Sequence, residues 1–376
     1  MVKDKDHFHG SDLEKIEKVY GIKPSDVTSF AANVNPLGIS YKLKTTLCDR
    51  IDAITSYPDR DYTALRTSIG NYINLEKENI IVGNGSTELI SLFIQITAPK
   101  KALLITPTYS EYERELALQG GTLDYFPLLE EKQFALDVTK LETVLANDYD
   151  LLIICNPNNP TSTAIPTDTM RQILTCCKGA AKKIANKKGL DHELFVIVDE
   201  TYVEFAPEIT KITAIPLVKE FDNLVVLRGV SKFFAAPGLR LGYALTSSKK
   251  LLTEINERKN PWTINTLAAI AGEIMFSDEE YIAKTKAFIS SERSRVCDAL
   301  RQNPNLKVYE PVANFVLVRI LKPSVTAADL FEACIQKGLM IRDCVTFKGL
   351  DESYFRICFM SKEKNDELLK VIRQTV

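Results

Sequence analysis

The chain has 376 residues, of which 45% are hydrophobic and 26% charged, and its formal net charge is −2. That length suits two or three domains of roughly 100–200 residues each. The near-zero charge excludes a global field for nucleic acid or an anionic membrane, so an anionic ligand must be caught by locally placed Arg and Lys.

The N-terminal stretch MVKDKDHFHG lacks the apolar core of a signal peptide, and runs such as 151–155 are strand-length, far short of a membrane span. A cytoplasmic protein is expected. The eight cysteines form no CxxC pair and read as buried thiols of a reducing compartment. Three histidines, His7, His9 and His192, give neither a zinc pattern nor a Ser-His-Asp set, so no metal is expected.

In chain order, residues 12–20 read as a helix with no core of its own, joined to another domain or to a partner subunit. From about residue 80 to 246, short apolar runs alternate with helical patterns. Strands are predicted at 79–82, 102–105, 122–125, 151–155, 194–198, 224–227 and 241–245. Helices are predicted at 86–97, 111–119 and 168–177, and the basic stretch 178–193 reads as a helix extension with a solvated loop. Strands apolar on both faces and separated by helices predict an α/β large domain, residues 43–266, whose mostly parallel sheet is flanked by helices. Ligands then belong at the loops after the strands.

Past Pro261 the texture changes. One long helix is expected over 266–302, then strands at 307–309, 315–319, 339–342 and 355–359, with helices at 327–337 and 363–373. These make a smaller α+β domain, discontinuous over 1–42 and 267–376.

Five segments carry chemistry. The apolar run Phe195-Val-Ile-Val-Asp-Glu-Thr-Tyr202 delivers Asp199 at a strand end, Ser231-Lys232 follows the strand at 224–227, and Arg240 precedes the next strand. A pyridine cofactor needs an anion beside its ring nitrogen, an amine for a Schiff base, and cationic and hydroxyl groups for a phosphate. Val82-Gly-Asn-Gly-Ser-Thr-Glu88 joins a strand to a helix whose positive end offers N–H and hydroxyl donors. It is not a dinucleotide fingerprint, since Glu88 stands where the third glycine belongs, and it lacks the Gly-Lys-Ser/Thr of a Walker loop. Cys155-Asn-Pro-Asn-Asn-Pro-Thr161 fixes an extended loop after a buried strand.

Together with Phe30-Ala-Ala-Asn-Val-Asn-Pro-Leu-Gly38, Tyr57-Pro-Asp59, Pro107-Thr-Tyr109, Gly238-Leu-Arg-Leu-Gly242 and Tyr354-Phe-Arg-Ile357, these segments resemble the fold-type-I pyridoxal-5'-phosphate (PLP) enzymes of the aspartate aminotransferase superfamily. The similarity points to histidinol-phosphate aminotransferases and threonine-phosphate decarboxylases. It implies PLP as cofactor, with Lys232 as Schiff-base lysine and proton shuttle. It further implies Asp199 at the ring nitrogen, Tyr202 and Asn159 at the ring's phenolic oxygen, and Tyr109 stacked on the ring. Ser86, Thr87, Ser231 and Arg240 would hold the phosphate, with Gly85 letting the backbone close in. Tyr57 would reach the neighbouring subunit's cofactor, implying a homodimer. Arg356 would grip the substrate α-carboxylate, with Arg342, Asn35 and His9 as further substrate contacts. Two sites depart from the family: Ser162 stands where glycine is usual, and Gly229 where a hydroxyl residue often touches the phosphate.

Two arginines in the small domain, Arg342 and Arg356, suit a small amino-acid substrate with two anionic ends, though Arg342 also reads as a structural salt bridge. The expectation is an aminotransferase, with a threonine-phosphate-type decarboxylase as the alternative.

Overall fold

The computed structural model describes Phe8, Gly10 and residues 12–376. The predicted strands of the large domain appear as β2 (Ile80–Gly83), β3 (Lys101–Thr106), β4 (Thr122–Pro127), β5 (Leu151–Cys155), β6 (Phe195–Asp199), β7 (Leu224–Gly229) and β8 (Gly242–Leu245), after a short β1 (Thr28–Ser29). The seven-stranded sheet has the order β2-β8-β7-β6-β5-β3-β4. Only β8 runs against its neighbours there, pairing antiparallel with both β2 and β7.

Every residue of β5, β6 and β7 is buried. Alternate residues serve two apolar layers. Leu152, Ile154, Val196, Val198, Leu224 and Val226 face one, and Leu151, Ile153, Ile197, Val225 and Leu227 the other. This is the pattern of a sheet covered on both faces. The helix Ser86–Thr97 coincides with its predicted bounds. The helix predicted at 168–177 runs on to Lys188, where Gly189 ends it in the left-handed conformation.

The smaller sheet has the order β12-β13-β10-β9, built from β9 (Leu306–Val308), β10 (Phe315–Ile320), β12 (Arg342–Asp343) and β13 (Tyr354–Cys358). Two expectations need correction. The strand predicted at 339–342 is split: β11 (Leu339–Met340) pairs in parallel with β1, and only Arg342–Asp343 joins the four-stranded sheet. The single helix predicted over 266–302 is two, Thr266–Met275 and Glu279–Arg301. Asp278 separates them by capping the second, accepting from the Tyr281 N–H. An Asp followed by two Glu is a start signal, obscured by helix formers on both sides.

The helix Leu13–Tyr20 packs against Ala327–Ile335, with Phe8 stacked on Phe331 and the Tyr20 hydroxyl donating to Glu332. Across the two sheets, Glu130 accepts from Lys307, Tyr309 and Arg319.

Candidate active site

A cavity of about 450 Å³ opens at the C-terminal ends of the parallel strands, between the two sheets. Gly85, Ser86, Thr87, Tyr109, Asn159, Asp199, Tyr202, Ser231, Lys232, Arg240, Arg342 and Arg356 all line it, delivered by eight separate segments of chain.

Asp199 closes the buried β6 and is 4% exposed. Its carboxylate accepts from the Tyr112 hydroxyl at 2.5 Å and from the Thr201 N–H and hydroxyl at 2.9 and 2.6 Å. Burial pushes its pKa up, against those hydrogen bonds. Among the described residues no cation pairs with it. Tyr202 is buried with its ring edge-on to Phe315, and burial raises its hydroxyl pKa. Tyr109 stands edge-on to Tyr112, its own pKa pushed up to about 12 by burial.

Lys232 donates to the Ala32 carbonyl at 2.7 Å. Burial first, then the Arg356 charge, lowers its pKa to about 8. A neutral amine is the nucleophile that imine formation requires.

Gly85 has φ +85°, and a Cβ there would fall 2.5 Å from the Arg240 guanidinium. The missing side chain lets backbone and cation share one concave surface at the start of Ser86–Thr97, where helix N–H groups lack internal partners. Gly229 lies beside it; an added Cβ would sit 3.7 Å from Ser86 Oγ, an ordinary contact. Ser162 stands at φ 60°, in the region glycine favours, held by its hydroxyl accepting from the Ala313 N–H at 2.9 Å.

Arg356, 4% exposed, donates to Asn159 Oδ1 and to the Ala31 carbonyl, while its Nε has no partner. Arg342 pairs in register with Arg356 across β12 and β13. It donates to the Phe8 carbonyl and to Thr346 Oγ1, over the Phe347 ring. Among the described residues no carboxylate lies within ion-pair distance of either arginine, though the Asp343 and Asp12 charges act to raise the Arg342 pKa. Burial and the neighbouring Arg356 charge lower the Arg342 pKa. Like charges opposite one another in a sheet are unfavourable, and an anion between them relieves the repulsion.

One expected site residue is elsewhere. Asn35 is spent on the fold: its amide donates to Phe233 O, Tyr281 OH and Thr285 Oγ1, and its Oδ1 accepts from the Leu37 N–H. Asn33, two residues earlier, lines the cavity instead, with a buried Oδ1 lacking a partner. Its φ of 55° is one that Asn tolerates. Tyr57 is 82% exposed, against Trp262, and does not line this cavity. His9 lies outside the described residues. Sequence reasoning missed Tyr112, Thr201, Asn33 and Cys155. Thr201 follows Asp199 at the spacing of an Asx turn, and Tyr112 sits one helical turn past Tyr109, so both had a local signal.

The donor set fits PLP. A buried carboxylate without a cation suits a charged ring nitrogen, an amine with its pKa lowered to about 8 suits an aldehyde, and the cradle at Gly85, Ser86 and Arg240 suits a phosphate.

Comparison with known proteins gives a family model described as "Aminotransferase class I and II", matching residues 25–372. The threonine-phosphate decarboxylase of Salmonella typhimurium is 33% identical over 368 residues, covering 98% of this chain and 96% of that protein. A histidinol-phosphate aminotransferase of Methanococcus maripaludis is 28% identical over 375 residues, covering 99% and 96%. The crystal structure of the histidinol-phosphate aminotransferase from Clostridium acetobutylicum superposes with a TM-score of 0.81 at 31% identity, covering 92% of this chain and 98% of that one.

Proposed function

Because the chain belongs to the aminotransferase class I and II family, whose members are PLP-dependent, we propose that it is an aminotransferase for a small amino acid bearing a second anionic, phosphate-like group. The observation that supports this reading is the Arg342–Arg356 pair, two cations in register that line the cavity of Lys232, with no carboxylate within ion-pair distance among the described residues.

Asp199 would hold the ring nitrogen of PLP, Tyr202 and Asn159 its phenolic oxygen, and Tyr109 its ring face. Ser86, Thr87, Ser231, Arg240 and the Gly85 backbone would hold its phosphate. Bound PLP supplies an electron sink for a bond at the substrate Cα. The planar fork of Arg356 takes the α-carboxylate through two parallel hydrogen bonds, which a lysine cannot offer. Arg342 takes the second anion. Lys232 would take the proton from the substrate Cα and pass it to the cofactor carbon rather than back to Cα.

Which Cα bond breaks depends on which stands perpendicular to the ring. Arg356 is bonded to Asn159, the residue assigned to the ring's oxygen edge. That supports a carboxylate near the ring plane and a Cα–H bond perpendicular to it, hence proton transfer and transamination. Decarboxylation is the second reading, favoured by the 33% identity to the Salmonella decarboxylase. It needs the carboxylate perpendicular.

The test is a screen of amino acids with and without a second phosphate or phosphonate, following keto acid and carbon dioxide in parallel. Keto acid without gas supports transamination; gas with an amine product replaces it with the second reading.

The same proposal includes a cytoplasmic homodimer in which Tyr57 reaches the partner's cofactor phosphate. It divides the chain into a large domain, 43–266, and a small one, 1–42 with 267–376. Exposed Tyr41, Ile51, Ile54, Tyr57 and Trp262 support an apolar contact surface. No helix among the described residues is long and apolar enough to cross a membrane.

A further inference from the structure

Behind the strand ends that carry Asp199 and Lys232 lies a charged cluster that the proposed chemistry does not use. Glu200, Glu204 and Arg228 are 0%, 1% and 3% exposed. Arg228 donates to Glu200 Oε2 through Nε at 3.0 Å and Nη2 at 2.8 Å, and to Glu204 Oε1 through Nη1 at 3.3 Å. Its Nη2 also reaches Thr213 Oγ1 at 3.0 Å. The second Glu200 oxygen accepts from the Ala214 N–H at 2.5 Å.

The placement follows from strand parity. Residues alternate between the faces of a sheet. Asp199 shares a face with Ile197, on the cavity side, whereas Arg228 shares the opposite face with Val226 and Leu224. Glu200 is the residue after Asp199, and its own N–H donates to the Leu227 carbonyl at 2.8 Å. Arg228 comes three residues before Ser231-Lys232. The Glu200–Arg228 pair, two guanidinium nitrogens on one carboxylate oxygen, therefore ties the C-terminal ends of β6 and β7 together from behind.

Stability alone does not account for such a cluster. Removing ions from water costs more than their attraction usually returns, and apolar residues of similar volume often do as well or better. Three ionisable side chains also leave one surplus carboxylate; burial pushes Glu204 up, and its Oε2 has no partner. What the cluster supplies beyond energy is geometry: all three guanidinium nitrogens are held, two on Glu200 Oε2 and one on Glu204 Oε1, while the other Glu200 oxygen is held by the Ala214 N–H.

We propose that the Glu200–Arg228–Glu204 cluster is a positioning element, which sets the separation of Asp199 and Lys232 by locking the ends of their two strands. The proposal rests on the assignment of those two residues as cofactor ligands.

The test is the double variant Glu200→Gln/Arg228→Met made in a Glu204→Gln background, which removes all three buried charges together and leaves none unpaired, with Arg228→Lys as the milder companion. Circular dichroism establishes folding. The readouts on PLP-loaded protein are the pH midpoint of the visible absorbance, PLP retention on dialysis, and kcat apart from KM. Misplacement of reacting groups by about 1 Å costs on the order of 100-fold, so the folded double variant is expected to lose about 10- to 100-fold in kcat with KM nearly constant, and its absorbance midpoint shifts. Arg228→Lys keeps the charge without the guanidinium and shows the same changes in part.

A folded double variant with parental midpoint, retention and kcat overturns the proposal. Should the double variant not fold, Arg228→Lys decides: parental values overturn the proposal, and a shifted midpoint with reduced kcat upholds it. A parent chain that takes up no PLP at Lys232 defeats the underlying assignment instead, and that outcome is read before any variant is made.

Discussion

Burial shifts both Asp199 and Lys232 toward their less charged forms, raising the pKa of the carboxyl and lowering that of the amine to about 8. For Lys232 the folded value lies below the usual 10.5. Between about 8 and 10.5 the unfolded chain thus binds the extra proton, so the penalty this group places on folding is full below about 8 and is relieved as pH rises through that window. The same shift predicts that PLP incorporation by the free chain accelerates as pH rises through about 8; acceleration only near 10.5 would speak against a buried, neutral amine. Asp199→Asn is expected to fold and lose nearly all turnover, since breaking a buried ion pair costs about 3–5 kcal/mol and the electron sink goes with it. Full activity in that variant, measured at saturating PLP, would falsify the assignment. Arg342→Ala should raise KM selectively for substrates with a second anion; an equal rise for all substrates would leave Arg342 a structural residue.

At the scale of elements, the site is made by close approach of backbone. Gly242 in β8 has no room for a Cβ, which would fall 2.4 Å from the Ser86 nitrogen. The neighbour is backbone at the head of a helix, so it cannot swing aside as a side chain would. Gly242→Ala is therefore expected to destabilise the fold by more than about 3 kcal/mol and to weaken PLP retention, checked by thermal melts and dialysis; a parental melt would show that the helix start can shift. Gly229, by contrast, has space toward Ser86, so Gly229→Ser is expected to keep the fold and match or improve PLP retention. The broken helix at Asp278 and the split strand at Met340 teach one lesson about this scale. Local propensity continued through both positions, while a cap at the first and a change of strand partner at the second ended the element.

Across the whole molecule, Glu130 links the two sheets by accepting from Lys307 at 2.5 Å, Tyr309 at 2.6 Å and Arg319 at 2.8 Å. Those donors lower its pKa to about 2 from 4.5. A depressed carboxylate contributes stability that is present above its unfolded value and lost as pH falls from about 4.5 toward 2. Glu130→Gln should therefore remove part of the acid sensitivity of unfolding, and an unchanged acid limb would show that the bridge carries no net stability. The proposed dimer has its own test. Lys232→Ala and Tyr57→Ala chains, each weakly active or inactive alone, should regain activity when mixed and refolded together, because one site in the mixed dimer then has both residues. Absence of recovery in a verified mixed dimer would remove Tyr57 from the partner's site.

The amino-acid sequence by itself determined the alternation of strands and helices from Ile80 to Leu245, because strands covered on both faces are written as unbroken apolar runs. Its resemblance to a known family also singled out residues from Ser86 to Arg240 that line one cavity, because strand ends and glycine turns carry them at recognisable places. Only the tertiary structure decided that Asn33 and not Asn35 faces the cavity, that Tyr112 and Thr201 complete the shell of Asp199, and that Arg342 stands opposite Arg356. Each of these depends on backbone direction at a turn or on contacts between segments distant in the chain, and neither is written in the periodicity of any one segment.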